Sequence, residues 1–139
     1  MNVFVSGSFD MLHSGHITFL MLAAEYGDLH VGLGSDYSIT KYKGKKPVCP
    51  EVERLFMVRS IKYVKKAWIN SGEGMFDFAK DVLDNDIDTI IVNEEQHTLE
   101  KELFAEENSI EYIVLKRDTL FGLPERSTTK LREYAGNNY

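Results

Sequence analysis

The sequence is poor in cysteine and in positive charge, and it contains no long apolar run. Its single cysteine, Cys49, cannot form an internal disulfide, which is typical of a reducing compartment. No apolar run reaches the roughly 20 residues that cross a bilayer, and no basic signal segment precedes the first apolar stretch. The 16 basic and 22 acidic residues give a net charge of -6, which argues against general binding of nucleic acid or anionic membrane. We therefore expect a cytoplasmic protein that acts on small molecules.

Common nucleotide-binding motifs are also missing. The chain has no Gly-rich run ending in Gly-Lys-Ser or Gly-Lys-Thr, and no Gly-x-Gly-x-x-Gly follows its first apolar stretch. These absences disfavour a P-loop kinase or a dinucleotide-dependent dehydrogenase. A catalytic thiol at Cys49 is disfavoured as well, because no base that could pair with it can be named nearby.

Strand-like and helix-like patterns alternate along the whole chain. At 139 residues and 43% hydrophobic content, the chain is long enough for one core and too short for two, so we predict one domain, residues 1–139. The alternation predicts an α/β fold, a Rossmann-like doubly wound parallel sheet of about five strands. The predicted strands begin near Val3, Leu29, Lys66, Asp88 and Glu111. The predicted helices begin near Ser14, Pro50, Met75, Leu99 and Ser127.

The turn after the first predicted strand carries two histidines, His13 and His16, just before a helix. Such a junction directs backbone N–H groups and the positive end of a helix dipole at one point, which favours phosphate. Two alternatives remain at this level. The pair could bind a metal, although no further cysteine or histidine has the spacing to complete a zinc site. One of the histidines could also be a core residue bonded to backbone.

Two further groups of residues follow strand ends. Residues 35–50 are predicted as a mobile basic loop, with four lysines between Lys41 and Lys46. Lysine-rich loops are usually only solvated, but this one follows the second strand, where open α/β sheets bind ligands. Donor-rich residues, Arg126 to Thr129, open the last predicted helix. Together with the histidine turn, these groups predict a site for a polyanion.

Nucleotidyl transfer fits such a site because it needs no protein nucleophile. A phosphate oxygen of the acceptor attacks the α-phosphorus of a nucleoside triphosphate, and pyrophosphate leaves. Catalysis then consists of holding two anions in line and neutralising the charge on the α-phosphate. We expect Mg²⁺ or another divalent cation, held mainly by the triphosphate rather than by the chain.

Three motifs carry a resemblance to a known family. Gly7 to His16 resembles the signature of the cytidylyltransferase-like nucleotidyltransferases, Gly-x-Phe-Asp-x-x-His-x-Gly-His, at every fixed position. Lys41-Tyr42-Lys43-Gly44, followed by Glu53-Arg54, looks like the basic loop of phosphocholine and phosphoethanolamine cytidylyltransferases. Ser127-Thr128-Thr129 is similar to the start of the last helix in glycerol-3-phosphate cytidylyltransferase.

The resemblance implies a role for each matching residue, and a homodimer. His13, His16 and Lys41 would be catalytic. Arg54 would lie near the base or ribose, unless it is an ordinary solvent-facing helical residue. The implied nucleotide-binding residues are Gly7, Ser8, Phe9, Asp10, Gly15, Arg54, Ser127 and Thr128. Further candidates for acceptor or phosphate contacts are Lys43, Lys46, Arg117 and Arg126, of which Arg117 and Arg126 are not aligned with the family but could replace an arginine of its pattern that this chain lacks.

The chain also departs from that family at two places. Gly122 to Arg126 replaces the Arg-Thr-x-Gly-Ile of glycerol-3-phosphate cytidylyltransferases, and Asn93 to His97 replaces a glycine-acid-tryptophan segment. The main prediction is transfer of CMP from CTP to a small phosphorylated alcohol or polyol, giving a CDP-activated precursor of a cell-surface polymer or lipid head group. The alternatives are an adenylyltransferase that uses ATP on a sugar phosphate or FMN, and a non-catalytic nucleotide-binding module.

Overall fold

The structure is a computed structural model that describes residues 1–116 and 120–138, with side chains up to Gly136. Within these residues, five strands alternate with helices. The strands are β1 (Asn2–Gly7), β2 (Asp28–Leu33), β3 (Lys66–Ile69), β4 (Thr89–Asn93) and β5 (Glu111–Leu115). The α-helices are α1 (Ser14–Ala24), α2 (Asp36–Lys43), α3 (Glu51–Arg59), α4 (Ala79–Asp84), α5 (Leu99–Glu107) and α6 (Thr128–Asn138). None of the described helices has the length and apolar composition needed to cross a bilayer.

The strands form one parallel sheet in the order β3-β2-β1-β4-β5. β1 is central, and its Val3 is in register with Leu29 of β2 on one side and Thr89 of β4 on the other. The chain moves outward from β1 to β3 and then returns to the opposite side of β1, so the strand order reverses beside β1. Ligands of open α/β sheets bind at such a reversal, beyond the carboxyl ends of the strands. The predicted doubly wound parallel sheet is confirmed.

Buried apolar clusters lie on both faces of the sheet. One strand contributes to both clusters, because its successive side chains point to opposite faces. In β1, Val3 and Val5 belong to one buried cluster and Phe4 belongs to the other. The first cluster also contains Leu20 of α1 and Val58 of α3. The second contains Phe78, Val82, Ile90 and Ala105. The continuous apolar strands are therefore explained by burial on both sides.

The predicted mobile loop at residues 35–50 is wrong in its first half, which is the helix α2. The Ser35 hydroxyl accepts the backbone N–H of Ser38, and Gly44 ends the helix in the left-handed region, with φ 73°. Those two caps define the helix, since they satisfy backbone groups that would otherwise lack partners. Only Ser38 within α2 is buried, which explains why no apolar period was visible in the sequence.

The predicted helix from Met75 to Asn85 also differs from the structure. It is divided into a 3-10 turn, Gly74–Phe76, and the short helix α4. Gly74 has φ 76°, a left-handed conformation that L side chains rarely adopt. A regular helix therefore begins only after this turn.

Arg54 of α3 holds together the backbone around the carboxyl ends of β1 and β2. Its side chain is only 1% exposed. Its hydrogen bonds, of 2.8–2.9 Å, go to the carbonyl oxygens of Ser8, Gly34 and Cys49 and to the carboxylate of Asp36. The guanidinium thereby fixes the ends of two strands, the start of α2 and the segment before α3. The expectation of a solvent-facing position for Arg54 is wrong because the group is enclosed by these partners, whereas a position near the base or ribose stays a prediction.

Asp10 connects the histidine turn to the last helix. Its buried carboxylate accepts hydrogen bonds from the backbone N–H groups of Val48 and Cys49 and from the Arg132 guanidinium. The Thr128 hydroxyl donates to the Asp10 carbonyl oxygen at 2.9 Å. Burial alone would raise the pKa of Asp10, but these donors outweigh it and lower the pKa below its ordinary value. Asp10 is therefore ionised at neutral pH, and it stabilises the turn from beneath through these hydrogen bonds.

We predict that Arg54→Met lowers the free energy of unfolding by about 3–5 kcal/mol, because it removes the Arg54 donors from one carboxylate oxygen of Asp36 and from three carbonyl oxygens. Denaturant titration would measure the change. Arg59→Met is the matched control, since Arg59 lies on the same helix but is exposed and, among the described residues, donates only to the Ala67 carbonyl oxygen. The control should cost less than about 1.5 kcal/mol. Equal losses in the two variants would contradict the role given to Arg54.

Candidate active site

Two adjoining cavities open at the carboxyl edge of the sheet. The larger has a volume of about 360 Å³ and lies between the histidine turn, the ends of β4 and β5, and the start of α6. The second, of about 280 Å³, lies beside β1, β2 and α2. They have four lining residues in common, namely Gly7, Ser8, Lys43 and Gln96. Two ligands bound in these cavities would therefore meet beside Gly7 and Ser8.

His13 and His16 both line the larger cavity, with ring centroids 3.9 Å apart. The Nδ1 of His13 accepts the backbone N–H of Gly15, and the Nδ1 of His16 accepts that of His13. These two bonds form a capping box at the start of α1. Because each Nδ1 is an acceptor, a neutral ring carries its proton on Nε2. The turn thus fixes both imidazoles in the tautomer that can donate from Nε2.

The turn is held in an unusual backbone conformation. Phe9 and Met11 both have left-handed φ values, 51° and 50°. Such values cost energy for residues other than glycine and are concentrated at functional sites. Gly15 is needed for a different reason, because a Cβ there would lie 2.9 Å from the His13 ring. The Gly-x-Phe-Asp-x-x-His-x-Gly-His spacing is thus tied to one specific backbone shape.

The start of α6 faces the same cavity. Arg126, Ser127 and Thr128 all line it, together with Leu123 and Pro124. The Ser127 hydroxyl accepts the backbone N–H of Lys130 and so caps the helix, while the Thr128 hydroxyl donates to the Asp10 carbonyl oxygen. An anion in this cavity would meet the positive ends of two helices, α1 and α6.

The lysines of α2 are arranged differently from the prediction. Lys41 lines neither cavity. Its Nζ lies 3.2 Å from a carboxylate oxygen of Glu73 and 5.6 Å from the ring centroids of Tyr37 and Tyr42. The hydrogen bond to Glu73 and the charge of that residue raise the pKa of Lys41. Lys43, two residues further along the helix, lines both cavities, so it has the position that was expected of Lys41.

Several other predicted site residues lie apart from the cavities. Arg54 and Asp10 are buried beneath the turn and line neither cavity. Lys46 is exposed beyond the end of α2 and also lines neither. Arg117 lies outside the described residues. By contrast, Gly7, Ser8, Phe9 and Gly15 all line the larger cavity.

The sequence interpretation missed functional candidates that follow β4 and β5. Asn93, Gln96 and Lys116 line the larger cavity. The Asn93 side-chain oxygen accepts the backbone N–H of Gln96, and the Gln96 amide donates to the Ser6 carbonyl oxygen at 3.0 Å. Polar residues directly after the carboxyl end of a parallel strand were the signal that could have identified them.

The second cavity contains two ionisable side chains, one buried and one half-buried, that the sequence interpretation also missed. Asp77 is 9% exposed, and Lys101 of α5 is half-buried. Burial raises the pKa of Asp77, with an opposing contribution from a hydrogen bond to Asn70. Burial also lowers the pKa of Lys101, against the attraction of Asp77. Lys101 Nζ donates to the Gln96 carbonyl oxygen at 3.0 Å, so the pair is connected to the border between the cavities.

Neither a thiol nucleophile nor a metal site built by the chain is evident. Burial raises the pKa of the Cys49 thiol, and Glu53 and Asp10 raise it further, which disfavours the thiolate. Within residues 1–116 and 120–138, no group of three or more His, Cys, Asp or Glu side chains could hold a metal ion. The charged side chains that line the larger cavity are the basic Lys43, Lys116 and Arg126 and the acidic Glu95 and Glu125.

Comparisons with known proteins bear on both the fold and the predicted reaction. FAD synthase of Methanocella paludicola is 36% identical over 134 residues, covering 94% of this chain and 93% of the relative. FAD synthase of Methanocella arvoryzae is 32% identical over 133 residues, covering 94% and 92%. The predicted CTP-dependent transfer to a phosphorylated alcohol or polyol is wrong, because relatives matched over nearly their whole length are named FAD synthase.

A solved structure and a family model extend these matches. The lipopolysaccharide core biosynthesis protein from Thermoplasma volcanium superposes with a TM-score of 0.73 at 27% identity, covering 86% of this chain and 98% of that one. The sequence model described as cytidylyltransferase-like matches residues 4–138. That span includes the histidine turn, all the strands from β2 to β5 and the start of α6. The chain therefore belongs to the cytidylyltransferase-like family.

Proposed function

We propose that this protein is an adenylyltransferase that makes FAD from ATP and FMN. The proposal depends chiefly on the near-full-length similarity to proteins named FAD synthase. FAD is FMN joined to AMP through a pyrophosphate bond, so its synthesis is a nucleotidyl transfer. The two cavities that meet at Gly7 and Ser8 support a reaction between two bound phosphates.

ATP binds in the larger cavity, with its α-phosphate beside His13 and His16. This assignment is supported by the ends of α1 and α6, which both direct backbone N–H groups toward that cavity. The Nε2–H groups of the two histidines donate to oxygens of the α-phosphate. These bonds become stronger as negative charge accumulates there in the transition state. The β- and γ-phosphates lie toward Ser127 and Thr128.

FMN binds in the second cavity, with its phosphate at the border. An oxygen of that phosphate attacks the α-phosphorus of ATP, the bond from this phosphorus to the β-phosphate bridging oxygen breaks, and pyrophosphate leaves. Lys43 lines both cavities, so its charge offsets the repulsion between the two approaching anions. The role expected of Lys41 passes to Lys43.

A divalent cation on the triphosphate would offset part of its negative charge. Since the described residues contain no cluster that could hold a metal ion, we assign no side chain to it. Mg²⁺ therefore remains a prediction, as does the homodimer. Each has a direct measurement, the dependence of the rate on added Mg²⁺ and the mass of the protein in solution.

We expect the protein to form FAD and pyrophosphate when it is incubated with ATP, FMN and Mg²⁺. Chromatography with flavin fluorescence would quantify FAD, and a coupled assay would quantify pyrophosphate. The control reactions replace FMN with glycerol 3-phosphate or a sugar phosphate, and ATP with CTP. Absence of FAD, or faster pyrophosphate release with a non-flavin acceptor, would overturn the proposal.

His16→Ala should lower kcat by two or more orders of magnitude, about 3 kcal/mol of transition-state stabilisation, because it removes one donor to the α-phosphate. His97→Ala is the control. His97 is exposed, lines neither cavity and bonds to the Tyr112 hydroxyl. Steady-state kinetics would compare the variants after their folding is verified by circular dichroism. Near wild-type turnover in His16→Ala would refute the assigned role.

The two lysines of α2 provide a matched test of the lysine assignment. Lys43→Met should lower kcat/KM by about tenfold or more, since it removes a charge between the two phosphates. Lys41→Met should change kcat/KM by less than about threefold, because Lys41 pairs with Glu73 at an exposed position. Initial rates with ATP and FMN would compare both variants. The opposite order of effects would return the catalytic role to Lys41.

A further inference from the structure

The second cavity has walls of two kinds. One part is apolar, formed by Ile39, Tyr42, Met75 and Phe78. The other part carries the buried carboxylate of Asp77 and the half-buried ammonium group of Lys101. An apolar pocket with a few convergent polar groups is the usual form of a small-molecule site. The arrangement therefore suits a flat, mostly apolar ligand that has hydrogen-bonding atoms along one edge.

Both charged groups are fixed by the surrounding structure. Lys101 Nζ donates to the Gln96 carbonyl oxygen, and the Gln96 amide donates to the Ser6 carbonyl oxygen of β1. Asp77 is buried beside Asn70, which is 3% exposed, accepts a hydrogen bond from the Trp68 indole and donates one to the Ser6 hydroxyl. Neither group therefore needs much reorganisation to meet a ligand, which favours specific recognition.

We infer that Asp77 and Lys101 recognise the imide edge of the flavin ring, which makes them specificity-determining residues of the acceptor cavity. This inference rests on the proposed function. The imide edge presents a carbonyl oxygen, the N3–H and a second carbonyl oxygen side by side. The Asp77 carboxylate accepts the N3–H, and the Lys101 ammonium group donates to one of the carbonyl oxygens. The apolar wall contacts the ring itself.

The FMN phosphate is a poorer partner for this pair. Asp77 would repel a phosphate, and together the two residues carry no net charge. A neutral edge with both a donor and acceptors satisfies a carboxylate and an ammonium group at once. Lys43, at the border of the cavities and without a carboxylate partner in the described hydrogen bonds and ion pairs, is the better partner for the phosphate. The flavin ring is thus recognised by Asp77 and Lys101, and its phosphate by Lys43.

Lys101→Met tests the inference in the full-length protein. We expect the KM for FMN to rise by about tenfold or more, since a hydrogen bond from a charged group is lost. The KM for ATP should stay within about twofold, because Lys101 does not line the larger cavity. Lys80→Met is the control, a lysine on α4 that is 78% exposed and pairs with Asp84. Thermal unfolding would verify that both variants are folded.

A flavin analogue gives a second readout that does not require a stable variant. N3-methyl-FMN lacks the N3–H, so the wild-type protein should use it with a KM about tenfold or more above that for FMN. Asp77→Ala should lose most of this discrimination, because no carboxylate remains to accept the N3–H. A merely structural role of Asp77 would leave the ratio of the two KM values unchanged.

The outcomes separate this inference from the proposed function. A raised KM for FMN in Lys101→Met, together with discrimination against the methylated analogue, supports the inference. Formation of FAD by the wild-type protein with equal use of both flavins, or with an unchanged KM in a folded Lys101→Met, overturns the inference alone. Absence of FAD in the wild-type reaction overturns the proposed function and this inference with it. If Lys101→Met does not fold, the KM values of the wild-type protein for FMN and N3-methyl-FMN test the inference instead, and equal values overturn it.

Discussion

The buried Arg54 guanidinium is the interaction on which the geometry of the site depends. It binds the backbone just beyond β1 and β2, the start of α2 and the segment before α3. The Asp10 carboxylate accepts hydrogen bonds from the N–H groups of Val48 and Cys49 in that same segment. It also accepts one from Arg132 of α6. The ends of β1 and β2, the start of α2, the segment before α3 and the helix α6 are thus joined by one charged network. The network is costly to bury and costly to break, so it fixes one arrangement.

The topology then determines where two substrates can meet. The strand order reverses beside β1, so the connections that follow β1 and β4 lead to opposite sides of the sheet. The two cavities adjoin at the carboxyl ends of these strands. The histidine turn lies at this junction because it continues β1 directly. A transfer that needs two phosphates in line requires two adjoining pockets, and the small residues Gly7 and Ser8 line both cavities where they adjoin. The reaction therefore depends on the fold as much as on the histidines.

The sequence predicted the sheet and the histidine turn well, because β-branched runs and a compact motif are local signals. It predicted α2 poorly, since a short polar helix defined by Ser35 and Gly44 leaves no apolar period. The sequence could not show whether Lys41 or Lys43 faces the cavities, for a related reason. Two residues along a helix differ by a large rotation, so the facing side chain is known only once the helix is known. The burial of Arg54 could not be predicted either, because three of its four partners are backbone carbonyl oxygens, which every sequence has.

The identity of the nucleotide was mistaken because the strongest motif carries no information about the base. The histidine turn and the ends of α1 and α6 are directed at phosphates, which CTP and ATP have in common. The resemblance of residues 41–44 to choline-phosphate enzymes concerned a helix end of which only Tyr42 and Lys43 reach a cavity. Under the proposed function, the base and the acceptor would instead meet side chains at the ends of β4 and β5 and in the second cavity. These are the places where the chain departs from the cytidylyltransferases, at Asn93 to His97 and Gly122 to Arg126. A departure from a family pattern next to a cavity was therefore better evidence about the substrate than the agreement at the turn.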